Sequence, residues 1–318
     1  MLKIDFFNQV RIGEPKSYEN MTVYPIFALN DGNVKYLTLA EALSKKLVKI
    51  TEVSESGVVN ELKVENFADV PILMLDGEEL VGAKQNRTLN TTVLIKEKST
   101  TFIPVSCVEQ GRWSYRSREF VKHKFMVPFK LRAKKAASVT ESIKSSGRFY
   151  AHQGMVWEEV AFFISSAGAS SNTFAIDDAY NVIEERRSDY FNAFRYEDGQ
   201  NGIIVLIDGV IVGVDYVSLK NAYKIYHDGL IAGYILSAIS EKRIRKGYET
   251  IEDLINDFKN YKWESVKSVG LGDDVRFKNN NYTCAGLIYQ DEIIHLAILN
   301  LTSDEFLTRR SRGGYLWF

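Results

Sequence analysis

Residues 76–113 read DGEELVGAKQNRTLNTTVLIKEKSTTFIPVSCVEQGRW, and the fold class follows from how this stretch is punctuated. Asp76-Gly77 separates residues 72–75 from residues 79–81, and an Asp-Gly pair favours a tight type I′ hairpin turn. Residues 87–95 then alternate. Leu89, Val93 and Ile95 point one way, while Asn86, Thr88, Asn90 and Thr92 point the other. Lys96 to Ser99 turns the chain, and Thr101, Ile103, Val105 and Cys107 extend the apolar side. The pattern predicts an antiparallel β-meander with one buried face and one uncharged polar face. Solvation of that second face is the default for antiparallel sheets. A ligand-binding face is the alternative, suggested by the amides Gln85, Asn86, Asn90 and Gln110.

Towards the N-terminus, residues 21–29 read as a strand and 37–47 as a short amphipathic helix capped near Thr38. Residues 47–53 and 60–65 alternate as strands. Beyond Gly111 the helical period takes over, predicting helices at 130–145, 155–166 and 176–194, the last with Asp177 or Asp178 placed to cap it. A second hairpin spans 202–217 around Asp208-Gly209. A buried helix at 222–240 contains Gly229 and Gly233, which admit close packing. A shorter helix follows at 251–260, then a hairpin of 283–289 with 292–300 around Gln290-Asp291. Paired hairpins without a βαβ alternation define an α+β fold. Residues 1–111 form a strand-rich region and 112–318 a mixed helix and hairpin region, compatible with one continuous domain.

The chain has 318 residues, 45% apolar and 25% charged, with a net charge of −1, as for an ordinary globular protein. Cys107 and Cys284 are too isolated for a disulfide framework or a zinc site. The four histidines, at 123, 152, 227 and 295, never fall at metal-ligand spacing along the chain. Neither a metal nor another cofactor is expected. Without a leader or a membrane-length apolar run, a cytoplasmic protein with no membrane partner is expected. Residues 112–148 hold eleven Lys or Arg against two Glu, a net of +9. That concentration suggests an anion site including Arg116, Arg118 and Lys122. A scaffold whose basic run contacts nucleic acid non-specifically is a further alternative, ranked lowest because the whole chain is near neutral, and no sequence-specific nucleic acid is expected as a partner. A basic, aromatic tail with Arg309, Arg310, Arg312 and Trp317 could touch a ligand or a second subunit, and a homodimer is left open.

Several short constellations could carry chemistry. The loop Gly82-Ala83-Lys84-Gln85-Asn86-Arg87 could turn amide N–H groups on an anion, with Lys84 and Arg87 supplying charge. It lacks the second glycine and the helix of a phosphate-binding P-loop. After Cys107, which reads as a core thiol, Glu109 could act as acid or base, Arg112 as a charge-stabilising cation and Trp113 as a stacking surface. The plain alternative is a Glu–Arg surface pair. His152, at the start of a helix beside Gln153 and Gly154, suits proton transfer at neutral pH. The expected catalytic residues are thus Glu79, Lys84, Glu109 and His152. The expected ligand contacts are Gln85, Asn86, Arg87, Asn90, Gln110, Arg112, Trp113, Arg116, Arg118 and Gln153. Gly270-Leu271-Gly272 lacks the third glycine and the context of a dinucleotide fingerprint.

The segments PILMLDGEELVGAKQNRTLNTTVLI (71–95), FIPVSCVEQGRWSYRSREF (102–120), AHQGMVWEEVA (151–161) and GVIVGVDYV (209–217) resemble a prokaryotic family named for its association with ADP-ribosylglycohydrolases and rhodanese-like phosphatases. The resemblance implies adenine-nucleotide or ADP-ribose chemistry. The ligand would be a small nucleotide derivative, either ADP-ribose or an NAD-derived compound, or a cyclic oligonucleotide second messenger of antiviral defence. A metal-independent enzyme of ring-nuclease type would cleave the latter by ribose 2′-hydroxyl attack on its own phosphodiester. A sensor or sequestering module for the same ligand is the non-catalytic alternative.

Overall fold

The computed structural model describes residues 4–240, 244 and 246–301; the tail containing Arg309, Arg310, Arg312 and Trp317 lies outside them. Three sheets and seven α-helices make up the described residues, an α+β architecture as the sequence predicts. The largest sheet runs Val10–Ile12, Met21–Ala28, Gly202–Ile207, Val210–Val217, Glu292–Asn300, Tyr282–Tyr289, Asp273–Lys278 and Glu264–Lys267, all antiparallel, with Lys16–Tyr18 also paired to Met21–Ala28. A six-stranded sheet runs Phe120–Met126, Glu78–Gly82, Arg87–Leu89, Ser99–Cys107, Glu61–Asn66 and Val48–Glu52. A small sheet joins Val93–Ile95 to Ile72–Met74 antiparallel, and Ile72–Met74 to Leu37–Thr38 parallel. The helices are α1 (Leu39–Ser44), α2 (Phe129–Ser146), α3 (Gln153–Ala167), α4 (Ile176–Val182), α5 (Glu184–Ala193), α6 (Lys220–Ser240) and α7 (Ile251–Phe258).

Local chemistry accounts for many of these boundaries. Asp208 and Gly209 both have positive φ, as do Gln290 and Asp291, the backbone that type I′ hairpins require. Thr38 and Glu41 form a reciprocal capping box at the start of α1. Gly229 and Gly233 of α6 face the backbone carbonyls of Lys124 and Val127, where a Cβ would come within 3.2 and 2.9 Å. Without side chains there, α6 lies directly against the edge of the six-stranded sheet.

Three sequence expectations are corrected. Asp76-Gly77 does not close a hairpin, because Ile72–Met74 pairs with Leu37–Thr38 and Val93–Ile95 in a different sheet from Glu78–Gly82. Only Gly77 has positive φ there, and Glu78 N–H returns to Leu75 O at 3.1 Å, a turn that needs glycine at its third position. Asp76 is held by Lys135 and by its own N–H to Thr92 Oγ1. The run 87–95 is likewise two strands, Arg87–Leu89 and Val93–Ile95, with the chain crossing between sheets at Asn90, Thr91 and Thr92. The predicted helix 176–194 breaks at Ile183, and Arg187 donates to the Tyr180 carbonyl freed there, at 2.7 Å.

The polar face of the 86–92 stretch is also not solvated. Asn86, Thr88, Asn90 and Thr92 are all buried, covered by side chains from α2, the segment after it and α3. Lys135 reaches Leu89 O, Phe149 O accepts from Asn90 Nδ2, and Gln153 makes paired bonds to the Cys107 backbone. Buried polar groups need partners, so this amide-rich strand serves as the inner wall of the molecule. The main apolar core joins Leu73, Leu75, Leu94 and Val108 with α2, α3, α6 and one face of the large sheet. A second core lies under α7, and a third fills the curl of the six-stranded sheet. Strands from both sides of Gly111 share sheets: Met21–Ala28 pairs with Gly202–Ile207, and Glu78–Gly82 with Phe120–Met126.

Candidate functional site

The site grows from the strand Glu78–Gly82. Alternation sends the two glutamates to opposite faces, and both are fully buried. Glu78 accepts the Leu75 N–H at 2.7 Å and faces Lys122 Nζ at 3.6 Å. Burial still pushes its carboxyl above the usual range. Glu79 points the other way, towards the loop after Gly82.

That loop is clamped by the protein's own charges. Arg112 Nε and Nη2 hold Glu109, with Nη2 to Oε2 at 2.7 Å. Its Nη1 donates to Ala83 O and Ser114 O, and its Nη2 also reaches Gly82 O and Asn86 Oδ1. Every guanidinium nitrogen is engaged, so Arg112 is a fastener for the loop. Glu109 Oε2 accepts the Asn86 N–H, Glu52 Oε1 the Lys84 N–H and Ser117 Oγ the Ala83 N–H. The N–H groups of Ala83, Lys84 and Asn86 are therefore taken by internal side chains, not turned on an anion as the sequence suggests. Burial works against ionisation of Glu109, but Arg112, the Asn86 N–H and Thr173 outweigh it and hold the carboxyl below the ordinary range.

Asn86 carries the loop to the reactive cluster. Its Nδ2 donates to Glu79 Oε1 and to Asp177 Oδ2, each at 3.3 Å. The other two carboxylate oxygens, Glu79 Oε2 and Asp177 Oδ1, are buried and lack a hydrogen-bond partner. Both face His123 Nδ1, at 3.5 and 3.4 Å. Asp177 is placed there because the start of α4 docks on the 108–111 segment through a Glu109–Ala175 bridge and the Ile176 N–H to Val108 O. Neither Asp177 nor Asp178 caps α4 with its side chain; Ala175 is the N-cap. Burial, then the adjacent Asp177 carboxylate, pushes Glu79 well above the normal range. Burial also holds the His123 imidazole below its ordinary value against the pull of Asp177.

A cleft of about 360 Å³ opens beside this cluster, lined by Asn86, Arg116, Asn172, Thr173, Asp177 and Asn181 among others. Arg116 stands exposed at its rim, 3.9 Å from Glu109 Oε1. A larger cavity of about 690 Å³, lined by Lys49, Glu52, Tyr115, Arg118 and Glu119, lies elsewhere on the six-stranded sheet. Arg116 and Arg118 thus line different openings, and Lys122 faces Glu78. Lys84 donates to Ser56 O and lies over Trp113 and Tyr115. Arg87 is fully buried, bonded to Gln85 and stacked on Trp113 at 5.4 Å. The structure therefore brings Glu79, Asn86, Glu109, Arg112 and Arg116 together, and sends Lys84, Arg87 and Trp113 into a neighbouring cation–aromatic cluster.

The remaining expected residues serve the framework. Asn90 binds Ser106 and Phe149 O, and Gln85 Nε2 reaches the carbonyl of the exposed Gln110. Gln153 secures Cys107, whose thiol burial pushes up to about 11. His152 caps α3 by accepting the Met155 N–H at Nδ1, and its own N–H binds Ser138. Sequence reasoning missed His123 and Asp177. The available signals were weak: a histidine among lysines in an alternating run, and an acidic pair read as a helix cap.

In this α+β chain, then, part of the motif-bearing set, Glu79, Asn86, Glu109, Arg112 and Arg116, meets beside one cleft. A family model matches residues 9–299, and the chain belongs to the ARPP-1 family, the ARG and Rhodanese-Phosphatase-superfamily-associated Protein domain. No curated protein and no solved structure matches it.

Proposed function

We propose that this protein is an enzyme that cleaves a small adenine-nucleotide derivative in the cleft beside Asn86, Arg116 and Asp177. The observation that carries the reading is the pair of buried carboxyl oxygens, Glu79 Oε2 and Asp177 Oδ1, neither accepting a hydrogen bond from the described residues, with Asp177 in the wall of a polar cleft and Glu79 behind it. Two adjacent carboxyls of which one retains a proton supply an acid and a base at neutral pH. In hydrolysis or internal transfer at phosphorus, the attacking water or ribose hydroxyl oxygen bonds to phosphorus and the bond to the leaving oxygen breaks. The ionised carboxylate takes the proton of the attacking oxygen, and the protonated partner delivers its own to the leaving oxygen. Arg116 at the rim would attract the phosphate and stabilise charge on its oxygens. The family's named association with ADP-ribosylglycohydrolases supports ADP-ribose or NAD derivatives as one substrate class, and cyclic oligoadenylates remain the other.

A binding-only reading draws on a different place. Trp113 and Tyr115 are about half exposed, with Lys84 over both rings, near the larger cavity lined by Tyr115 and Arg118. Stacking faces beside cations hold a base without transforming it. Incubation of the full chain with ADP-ribose, NAD and cyclic oligoadenylates, read by mass spectrometry, separates the two. Conversion that falls by roughly 100-fold or more in Glu79→Gln and Asp177→Asn supports the enzyme. Stoichiometric binding with no mass change, weakened by Trp113→Ala, overturns it in favour of a sensor.

A further inference from the structure

We propose that Glu79, His123 and Asp177 form a binding site for one divalent transition-metal cation. The inference rests on the proposed site in sharing its cleft, but requires nothing of its reaction. The sequence gives no sign of a metal, because the three residues are far apart along the chain and only folding assembles them.

The argument begins with a convergence of acceptors. Glu79 Oε2 and Asp177 Oδ1 have no hydrogen-bond partner although both are buried, and an unmet buried acceptor is costly. The group they face is no evident donor. His123 Nδ1 lies 3.4 Å from the Phe125 N–H and accepts from it, so it presents a lone pair. That contact is long enough for a cation to displace. Two carboxyl oxygens and an imidazole nitrogen therefore converge on one gap, where a cation would take the place of the proton that the two carboxyls otherwise share.

The spacing fits a metal. The three ligand atoms all lie within 4.8 Å of one another, and the two distances to His123 Nδ1 are 3.4 and 3.5 Å. For metal–ligand bonds of about 2.0–2.1 Å in tetrahedral geometry, ligand atoms sit about 3.3 Å apart. The donor set is selective: one imidazole and two carboxylates suit Zn2+ or Mn2+ better than the all-oxygen shells of Ca2+ or Mg2+.

The surroundings resemble those of a working centre. Asn86 Nδ2 binds the outer oxygen of each carboxylate, which fixes both ligands in orientation as outer-shell partners do. Asn86 is itself gripped by Arg112 and Glu109. Asp177 and Asn86 also line the cleft, so three protein ligands would leave coordination positions for water or a phosphate oxygen. Such a cation would act as a Lewis acid or lower the pKa of a bound water.

The test is metal binding to the full chain with no nucleotide present. Chelator-stripped protein is titrated with Zn2+ and Mn2+ by calorimetry, and with Co2+ by visible absorption. One equivalent should bind. Affinity should fall in Asp177→Asn and in His123→Ala by more than the roughly 10- to 100-fold typical of losing an outer-shell partner. The Co2+ ligand-field bands should shift in His123→Ala, while Glu119→Gln, at the other cavity, should match wild type. Circular dichroism of each metal-free variant confirms that it is folded. Absence of binding at millimolar metal, or equal binding in wild type and both ligand variants, overturns the site. Nucleotide turnover unaffected by chelation would remove the metal from the reaction and leave the binding result intact.

Discussion

Two buried ionic clusters, one reaching the strands of the large sheet and one on the six-stranded sheet, are built on opposite terms. In the core, Asp76 takes Lys135, Asp215 takes Arg132 through two bonds of 2.7 and 3.0 Å, and Asp274 takes Arg276. Tyr234 completes Asp215 and Thr91 completes Asp274. Three acids match three cations with the charged groups sealed from solvent. Beside the cleft, Glu79 and Asp177 are two acids placed together, facing an imidazole. The same residue types thus do two jobs. Matched charge fixes one packing of the core, whereas unmatched charge next to an opening keeps capacity for a proton, a cation or a ligand.

The sharpest way to break this contrast is to damage the core cluster. Asp215→Ala strands Arg132 in the interior, and removal of one partner of a buried pair costs about 3–5 kcal/mol. Urea unfolding should show that loss, and a change below about 1 kcal/mol would mean the core cluster is no more essential than the site.

The next test uses pH, because the two clusters should respond with opposite signs. Burial lowers His295 to about 4 in the folded protein, against an ordinary 6.5. Asp215 pulls it up and Arg132 pushes it down, with Asp76 a smaller influence. Between those values the unfolded chain binds the extra proton, so this contribution to stability, on the order of 3 kcal/mol, is lost as pH falls from about 6.5 to 4. Glu79 is shifted upward, so the folded chain holds the extra proton and its contribution is lost as pH rises above the ordinary 4.5 towards the raised folded value. Stability profiles of His295→Gln and Glu79→Gln should therefore change with opposite signs, the first losing a contribution that wild type sheds as pH falls and the second one that wild type sheds as pH rises above 4.5. A change of the same sign in both would merge the clusters into one.

The smallest effect is expected at the rim. Arg116 is mostly exposed, so Arg116→Ala should leave stability within about 0.5 kcal/mol of wild type. It should also weaken phosphate-ligand binding and reduce its salt dependence. Unchanged affinity at low salt would move the ligand away from this cleft.

Much of this was legible in the sequence, for identifiable reasons. The hairpins at Asp208-Gly209 and Gln290-Asp291 and the box at Thr38 depend on neighbouring residues, and local chemistry decides them. Asp76-Gly77 has the same local chemistry, but Lys135 and Thr92 claim Asp76 and a different sheet claims the preceding strand. Glu79, Asn86, Glu109 and Arg112 stood out because so many polar groups in a strand-rich run require an interior partner or a ligand. Which of the two each would find was not written locally. Arg112 spends its donors on the loop and on Glu109, whereas Arg87 gives one nitrogen to Gln85 and lies against Trp113. Asp177, brought to Asn86 across 91 residues, became visible only once α4 was seen docked on the 108–111 segment.

The most direct test of unmatched charge at the site is the stability of Glu79→Gln by urea unfolding near pH 8. Glutamine keeps the acceptor used by Asn86 and offers a donor to Asp177 in place of a second acid. The expected result is a midpoint equal to or above wild type. A loss of more than about 2 kcal/mol, the scale of a broken buried network, would show that Glu79 is a structural charge like Asp215 and contradict its assignment to function.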